Sequence, residues 1–389
     1  MLRLRRITLT QFRNYAGLTW APAARVSVFF GPNGSGKTNL LEAVSLLAPG
    51  RGLRGARIAD LPRRGADGRW AVAGRFVTPD GPLEIGTGTP PDGPADRRAF
   101  RLDGGRPRSQ AEIATRVAAV WLTPPMDRLF QEGASGRRRF LDRLVLALEP
   151  AHARELAAYE ATLAERSRLL ARGGADAAWL AGLEDQMARH AVAATAARMA
   201  LAGRMDAALS QGVIAGFPPA QLALECPIAD RLATLPAVDV EDWLRAALAH
   251  ARRRDAEAGG AAFGAHRTDM ALRDAASGLP AALASTGEQK ALLLAVVLAH
   301  AALMAEARGF APLLLLDEPA IHLDPDRRAA LFAAIATLPA QVLLTGTDAE
   351  TFLPLSATAE GLRTGEGALT PDGRFSARDA LLPPGPEAP

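Results

Sequence analysis

Apolar residues recur along this chain in three rhythms, and each rhythm marks its own kind of element. Near the start, Leu2, Leu4, Ile7 and Leu9 alternate with arginines and threonines, which predicts a half-buried strand. A turn at Gln11 to Tyr15 leads to a second strand ending near Trp20. Arg25 to Phe30 is instead an almost unbroken β-branched and aromatic run, as a strand buried on both faces requires, and Asn39 to Val44 continues with helical spacing. Residues 70–77, 83–87 and 97–102 then read as short strands with Pro and Gly between them. Asp103-Gly104-Gly105 is a hairpin signal, so this section predicts a β-meander beside the first elements.

The rhythm changes again further on. Val117 to Leu122 makes one more buried strand, and Gly136 opens a helix. From Ala151 to about Leu209 the chain is rich in Ala, Leu, Arg and Glu at helical spacing, broken at Gly173-Gly174 into two long helices. A strand around Leu222 to Pro227 and a helix at Asp239 to Arg254 complete this part. No heptad persists long enough for a long coiled coil. A helix at Ala291 to Ala307, a buried strand at Pro312 to Leu316, a helix from Pro325 and a strand at Gln341 to Thr347 then return to the α/β pattern. The expected division is an α/β lobe in two pieces, 1–148 and 256–380, with a helical lobe inserted at 149–255 and a Pro/Gly-rich, disordered tail at 381–389.

Composition narrows the class only a little. In 389 residues, 49% hydrophobic and 22% charged content fit a globular protein with ample core. The lone cysteine, Cys226, forbids an intrachain disulfide and suits a reducing compartment. No apolar h-region follows the basic N-terminus, so no signal peptide is expected. The apolar run Ala291 to Met304 is read as too short to span a bilayer, leaving no membrane partner and the cytoplasm as the default. A net charge of +3 only hints at nucleic acid. Lys37 and Lys290 are the only lysines among many arginines. At position 37 a compact ammonium suits a phosphate cradle where a guanidinium fork would not.

Lys37 lies in the stretch that organises the chain. Gly31-Pro32-Asn33-Gly34-Ser35-Gly36-Lys37-Thr38 fits G-x-x-x-x-G-K-[ST] at every position, between a predicted strand and a predicted helix. Glycines let backbone N–H groups converge on a β-phosphate at the positive end of the helix. Lys37 is then the residue that reaches the β- and γ-phosphates, and Thr38 the one that holds Mg²⁺. The chain is expected to bind ATP.

The second half supplies matching chemistry. Four leucines before Asp317-Glu318 form a Walker B pattern. Asp317 is expected to hold Mg²⁺ through water and Glu318 to polarise the attacking water. Ser285-Thr-Gly287-Glu288-Gln289-Lys290 at a helix start resembles a degenerate ABC signature, serving the phosphate of a second protomer. Ser285 with Glu288 also makes an ordinary capping box, and the two readings are compatible. Asp324 occupies the D-loop position.

The separation from Lys37 to Asp317 is too long for a compact transporter ATPase and far too short for a cohesin-like protein with a long coiled-coil arm. The chain resembles the RecF family of bacterial recombination-repair ATPases over nearly its whole length. The resemblance is carried in order by ITLTQFRNY, FFGPNGSGKTNLLEAV, LTPPMDRLF with GRRRFLDRLV, GAHRTDM, STGEQK and LLLLDEPAIHLDPDRR. It implies an ABC-type P-loop lobe with a mixed sheet, and an ATP-dependent homodimer that clamps gapped or junction DNA. It further implies work with the repair proteins RecO and RecR in recombinase loading, a part in SOS induction, and slow, DNA-stimulated ATP hydrolysis. Departures lie at Thr123-Pro-Pro-Met-Asp127, at the position of the nucleotide-contacting glutamine, for which Gln131 is a candidate, at His322, and at Thr347 where ABC proteins carry a histidine. Arg3, Arg5, Arg6, Arg51, Arg54 and Arg57 are candidate DNA contacts, with a solvated surface as the competing explanation.

Two rivals come from other classes. An ATPase subunit of a transporter would carry a clean LSGGQ and a coupling loop, and one of a defence system usually appends a nuclease domain. A scaffold that binds ATP merely to fold would not need Glu318.

Overall fold

A strand can be apolar along its whole length only if neighbours cover both of its faces, and Val26–Phe30 is buried at every position. The cover comes from the rest of a computed structural model that describes residues 2–94, 96–173, 176–212 and 214–377. In chain order these form β1 (Arg3–Phe12), β2 (Tyr15–Trp20), β3 (Val26–Phe30), α1 (Lys37–Leu46), β4 (Ala71–Thr78), β5 (Gly81–Gly88), β6 (Ala99–Leu102), α2 (Gln110–Arg116) and β7 (Ala119–Leu122). Then come α3 (Ala134–Leu148), α4 (His152–Arg172), α5 (Ala177–Ser210), β8 (Ala220–Glu225), α6 (Pro227–Leu232), α7 (Ala237–His250), α8 (Arg252–Ala258) and β9 (Asp269–Asp274). The chain closes with α9 (Thr286–Arg308), β10 (Leu313–Leu316), α10 (Pro325–Thr337), β11 (Val342–Gly346), β12 (Ala359–Gly365) and β13 (Ala368–Pro371).

Two compact units result. The first holds the chain up to Asp127, the short piece Ile214–Phe217 and the described chain from Leu293 onward; the second takes the stretches between, 128–213 and 218–292. The first unit is built on two sheets. One is six-stranded in the order β13-β12-β3-β11-β10-β7, parallel except for β13. Its centre is leucine-rich: Leu314 faces Val342 on one side and Val120 on the other. The other sheet is the expected meander, antiparallel in the order β2-β1-β4-β5-β6. β4 alternates buried and exposed positions along its length, as one covered face demands.

The second unit packs α4, α5 and α7 round a core that includes Tyr159, Met187, Val192, Leu244 and Leu248. Inside it lies a polar knot in which Arg166, fully buried, meets Glu184 at 3.0 Å, Asp255 at 2.8 Å and the Leu248 carbonyl at 2.7 Å. The composition shift at 149–255 falls largely inside this unit, whose helices begin earlier, with α3 at Ala134. The expected tail at 381–389 lies outside the described residues.

Several elements differ from the expectation. α2 has only seven residues, too few for periodicity to register, although the Ser109 hydroxyl accepts from Glu112 N–H as an N-cap. β9, which the sequence reading does not place, pairs with β8 from Asp269, and β12 and β13 have no apolar run to announce them. β8 ends at Glu225 because Pro227 begins a helix. α9 starts at Thr286 and is 23 residues long, so it is not too short to cross a bilayer. Most of its apolar stretch is buried in the protein, including every residue from Ala291 to Ala299, and that burial accounts for its composition.

Candidate nucleotide site

β3 ends at Phe30, and the chain must then reverse into α1 within six residues. Glycine is required at two points in that turn. Gly31 has φ +152°, and a Cβ there would lie 2.6 Å from the Thr364 carbonyl oxygen. Gly36 has φ +107°, and a Cβ there would lie 2.4 Å from Asn14 Nδ2. Gly36 is the N-cap of α1 and has no side-chain partner for the first N–H groups, so the loop leaves those donors to a ligand. Pro32, Asn33 and Gly34 are exposed at the tip, and Ser35 is half-buried.

Lys37 folds back over the loop, its Nζ donating to the carbonyls of Gly31 at 2.6 Å and Pro32 at 3.0 Å. Burial lowers the pKa of this ammonium, while the carboxylates of Glu318 and Asp317 oppose the shift. An ammonium bonded to two carbonyls, beside two acids and at a helix N-terminus with no side-chain cap, is suited to exchange those carbonyls for phosphate oxygens.

The two distant motifs meet here. Thr38 Oγ1 donates to Asp317 Oδ1 at 2.9 Å, across a sequence separation of 279 residues. Asp317 follows directly on β10 and Thr38 sits in the first turn of α1, so the meeting lies at the C-terminal edge of the parallel sheet, where ligands bind in open α/β folds. A hydroxyl and a carboxylate oxygen in contact are donors of the hard class that Mg²⁺ takes, and Mg²⁺ needs only one or two protein oxygens because phosphates and water complete its shell. These residues fit ATP with Mg²⁺. Glu318 follows at φ +51°, in the left-handed region, which turns it away from the course of the strand.

Sequence reasoning missed the side chains that hold this arrangement. Thr345, on β11, donates to Asp317 Oδ1 at 2.7 Å and accepts from the Glu318 backbone N–H at 2.9 Å, so one hydroxyl orients both acids. Tyr15 OH donates to the Gly36 carbonyl at 3.1 Å, and Asn14 Nδ2 to that of Ser35 at 3.2 Å. Thr364 Oγ1 lies 2.7 Å from Ser35 Oγ. Asn14 and Tyr15 belong to the N-terminal motif that helps carry the family resemblance, and that motif is their only signal.

The other predicted residues are dispersed. Ser285 and Glu288 close a capping box in the second unit: Ser285 N–H and Oγ each donate to Glu288 Oε2 at 2.8 Å. Gln289 is buried, its amide donating to the Ala284 carbonyl, and Gly287 is half-buried in the same turn. Asp324 caps α10 by accepting from Arg327 N–H at 2.8 Å. His322 is exposed at φ +66°, Thr347 donates to Asp348, and Gln131 is an exposed residue of the second unit. Among the arginines, Arg3 is only 6% exposed and has a partner within the fold, so it does not suit a DNA contact. Arg54 is drawn to Glu42 at 3.0 Å, Arg5 is half-buried, and Arg6, Arg51 and Arg57 are exposed.

A family model described as an AAA domain, putative AbiEii toxin, type IV TA system, matches residues 26–345. Whole-length relatives go further. The DNA replication and repair protein RecF of Mesorhizobium japonicum is 46% identical over 367 residues, covering 94% of this chain and 97% of the relative. The protein of the same description from Agrobacterium fabrum is 45% identical over 369 residues, covering 94% and 98%. The chain belongs to the RecF family. A solved structure of the recombination mediator protein RecF with ATP agrees with it at a TM-score of 0.83 and 21% identity, covering 96% of this chain and 98% of that one. An Smc head domain from Pyrococcus furiosus shares the fold more loosely, at a TM-score of 0.53 and 16% identity over 96% of each chain. RecF membership over 94% of the chain sets aside the transporter and defence-system readings, and the toxin in the family model's description is not carried to this chain.

Proposed function

We propose that this RecF-family chain is an ATP-dependent DNA-binding protein of replication and repair. In this reading Gly31 to Thr38 wrap the phosphates, with Lys37 neutralising the β- and γ-oxygens and Thr38 and Asp317 holding Mg²⁺. The metal, when bound, offsets phosphate charge. Glu318 orients water for slow hydrolysis. Ser285, Gly287, Glu288 and Gln289 act on the nucleotide of a second copy, so ATP closes a homodimer round gapped or junction DNA. Work with RecO and RecR, a part in SOS induction and a cytoplasmic setting belong to the same proposal. The observation that carries it is the hydrogen bond from Thr38 to Asp317, because it joins two motifs whose shared purpose is a metal-bound triphosphate.

Two variants test it by equilibrium ATP binding, phosphate release and sedimentation. Lys37→Ala should lose most ATP affinity. Glu318→Gln should bind ATP and dimerise while turnover collapses. Parental hydrolysis by either variant would overturn the assigned roles. A Glu318→Gln chain that binds ATP normally but stays monomeric would overturn the two-copy closure.

A further inference from the structure

The meander of the first unit ends in an edge strand, and beside it lies an open cleft of about 670 Å³ that the nucleotide chemistry does not use. Its lining is unusually basic. Arg97, Arg98, Arg101, Arg106 and Arg108 contribute to it, against the single carboxylate of Asp92. Arg98 belongs to the wall: its guanidinium donates to Thr87 Oγ1 and to the carbonyls of Gly50 and Leu46. The other four are exposed, and none of them makes an ion pair among the described residues. Of these four guanidinium groups only that of Arg101 is tethered among the described residues, to the Gly104 carbonyl at 3.1 Å.

Charged side chains on an edge strand also discourage edge-to-edge sheet pairing, which is enough to explain Arg101 on β6. It does not explain Arg97, Arg106 and Arg108, which lie off the strand and converge on the same cleft. The cleft floor adds an aromatic: Phe100 lines it half-buried, with Arg98 over its ring at 4.2 Å. Loose cations beside a stacking surface are what sequence-tolerant binding of a single nucleic-acid strand requires. The opening also borders Arg51, since Gly50 is bonded to both Arg98 and Gln110 of the lining.

We propose that this cleft holds single-stranded DNA, with Arg97, Arg101, Arg106 and Arg108 on successive phosphates and Phe100 stacking a base. The inference rests on the DNA-binding reading above and names the surface that carries the unpaired strand of a gap.

The test is fluorescence anisotropy with a labelled oligo-dT and a duplex of equal length, across a salt series, with and without ATP. Four chains are compared: the parent, the quadruple variant Arg97→Ala, Arg101→Ala, Arg106→Ala, Arg108→Ala, its four-lysine counterpart, and Phe100→Leu. Thermal melting and ATP binding check that each is folded. The quadruple alanine variant should bind oligo-dT roughly tenfold or more weakly, with a log–log salt slope shallower by about 0.7 for each phosphate that is no longer neutralised. The lysine counterpart should keep the slope. Phe100→Leu should weaken oligo-dT binding about tenfold with the slope unchanged, because stacking releases no counterions. A parent that binds neither DNA even with ATP would sink the DNA-binding reading itself. A parent that binds oligo-dT while the quadruple alanine variant matches it in affinity and slope would leave that reading standing and overturn this one. So would a quadruple variant that loses duplex binding equally while Phe100→Leu changes nothing.

Discussion

At the scale of single residues, the site depends on hydroxyls as much as on the acids and the lysine. Thr345 is the clearest case, because its oxygen is shared between Asp317 and the backbone N–H of Glu318. Thr345→Val keeps the shape, removes the donor to Asp317 and leaves the Glu318 N–H without its acceptor. A broken hydrogen bond with a stranded, part-buried donor costs about 1–3 kcal/mol. We expect a lower melting temperature, and ATP hydrolysis reduced more than ATP binding, since Lys37 and the loop are untouched. Thr345→Ser should restore both. A valine variant that melts and hydrolyses like the parent would show that the two acids are held by other contacts.

Between residue and fold stand the contacts that tie one element to the next. In the second unit, Asp142 on α3 receives Arg198 of α5 at 2.7 and 2.9 Å and lies 2.9 Å from His152 Nε2 at the start of α4. Burial pushes the Asp142 carboxyl up, but the hydrogen bonds from His152 and Arg198 outweigh it and hold its pKa below the ordinary aspartate range. A depressed carboxylate contributes stability above its unfolded value and loses it as pH falls through the folded one. The contribution is therefore full at neutral pH and is lost in acid, below the ordinary aspartate pKa of about 3.9. Asp142→Asn leaves the Arg198 guanidinium, 2% exposed, facing a neutral amide. Stripping one partner from such a pair costs about 3 kcal/mol. Chemical denaturation should show that deficit at pH 7 and much less of it at pH 3. An equal deficit at both values would mean that packing, not charge, is what Asp142 supplies.

The same scale separates what is legible in the sequence from what is not. β3, β10 and β11 announce themselves because burial on both faces forces apolar side chains at successive positions. The loop from Gly31 to Thr38 is legible because its backbone tolerates so few residues. β9 and β12 stay hidden, since short strands with one covered face carry Asp, Arg, Glu and Gly among few apolar positions. Asn14, Tyr15, Thr345 and Thr364 escape notice for a related reason. Tyr15, Thr345 and Thr364 reach the site from strands and Asn14 from the turn between β1 and β2, all outside the loop itself, and no local pattern records a long-range hydrogen bond. The Asp317–Glu318 pair is readable from its strand; the hydroxyl that orients it is not.

For the whole molecule, the question is whether Ser285 serves its own helix or a second copy, and the capping box makes both effects measurable. Losing a serine cap costs about 1 kcal/mol of stability, and both Ser285→Ala and Ser285→Arg should show that loss in thermal melting. Only the arginine adds bulk and positive charge at the exposed turn Ser285–Thr286. If the turn works on the partner's nucleotide, Ser285→Arg should bind ATP like the parent yet fail to dimerise and hydrolyse, with Ser285→Ala in between. If the turn is a cap and nothing more, the two variants should be equally stable and both should sediment as dimers with ATP. DNA binding offers a second readout. Closing two copies doubles the phosphates neutralised, so on duplex the salt slope, about −0.9 per phosphate, should roughly double for the parent when ATP is added. Ser285→Arg should keep the shallow slope of the single copy. Equal steepening in both would mean that ATP strengthens DNA binding within one chain, and the closure of two copies would then have no part in it.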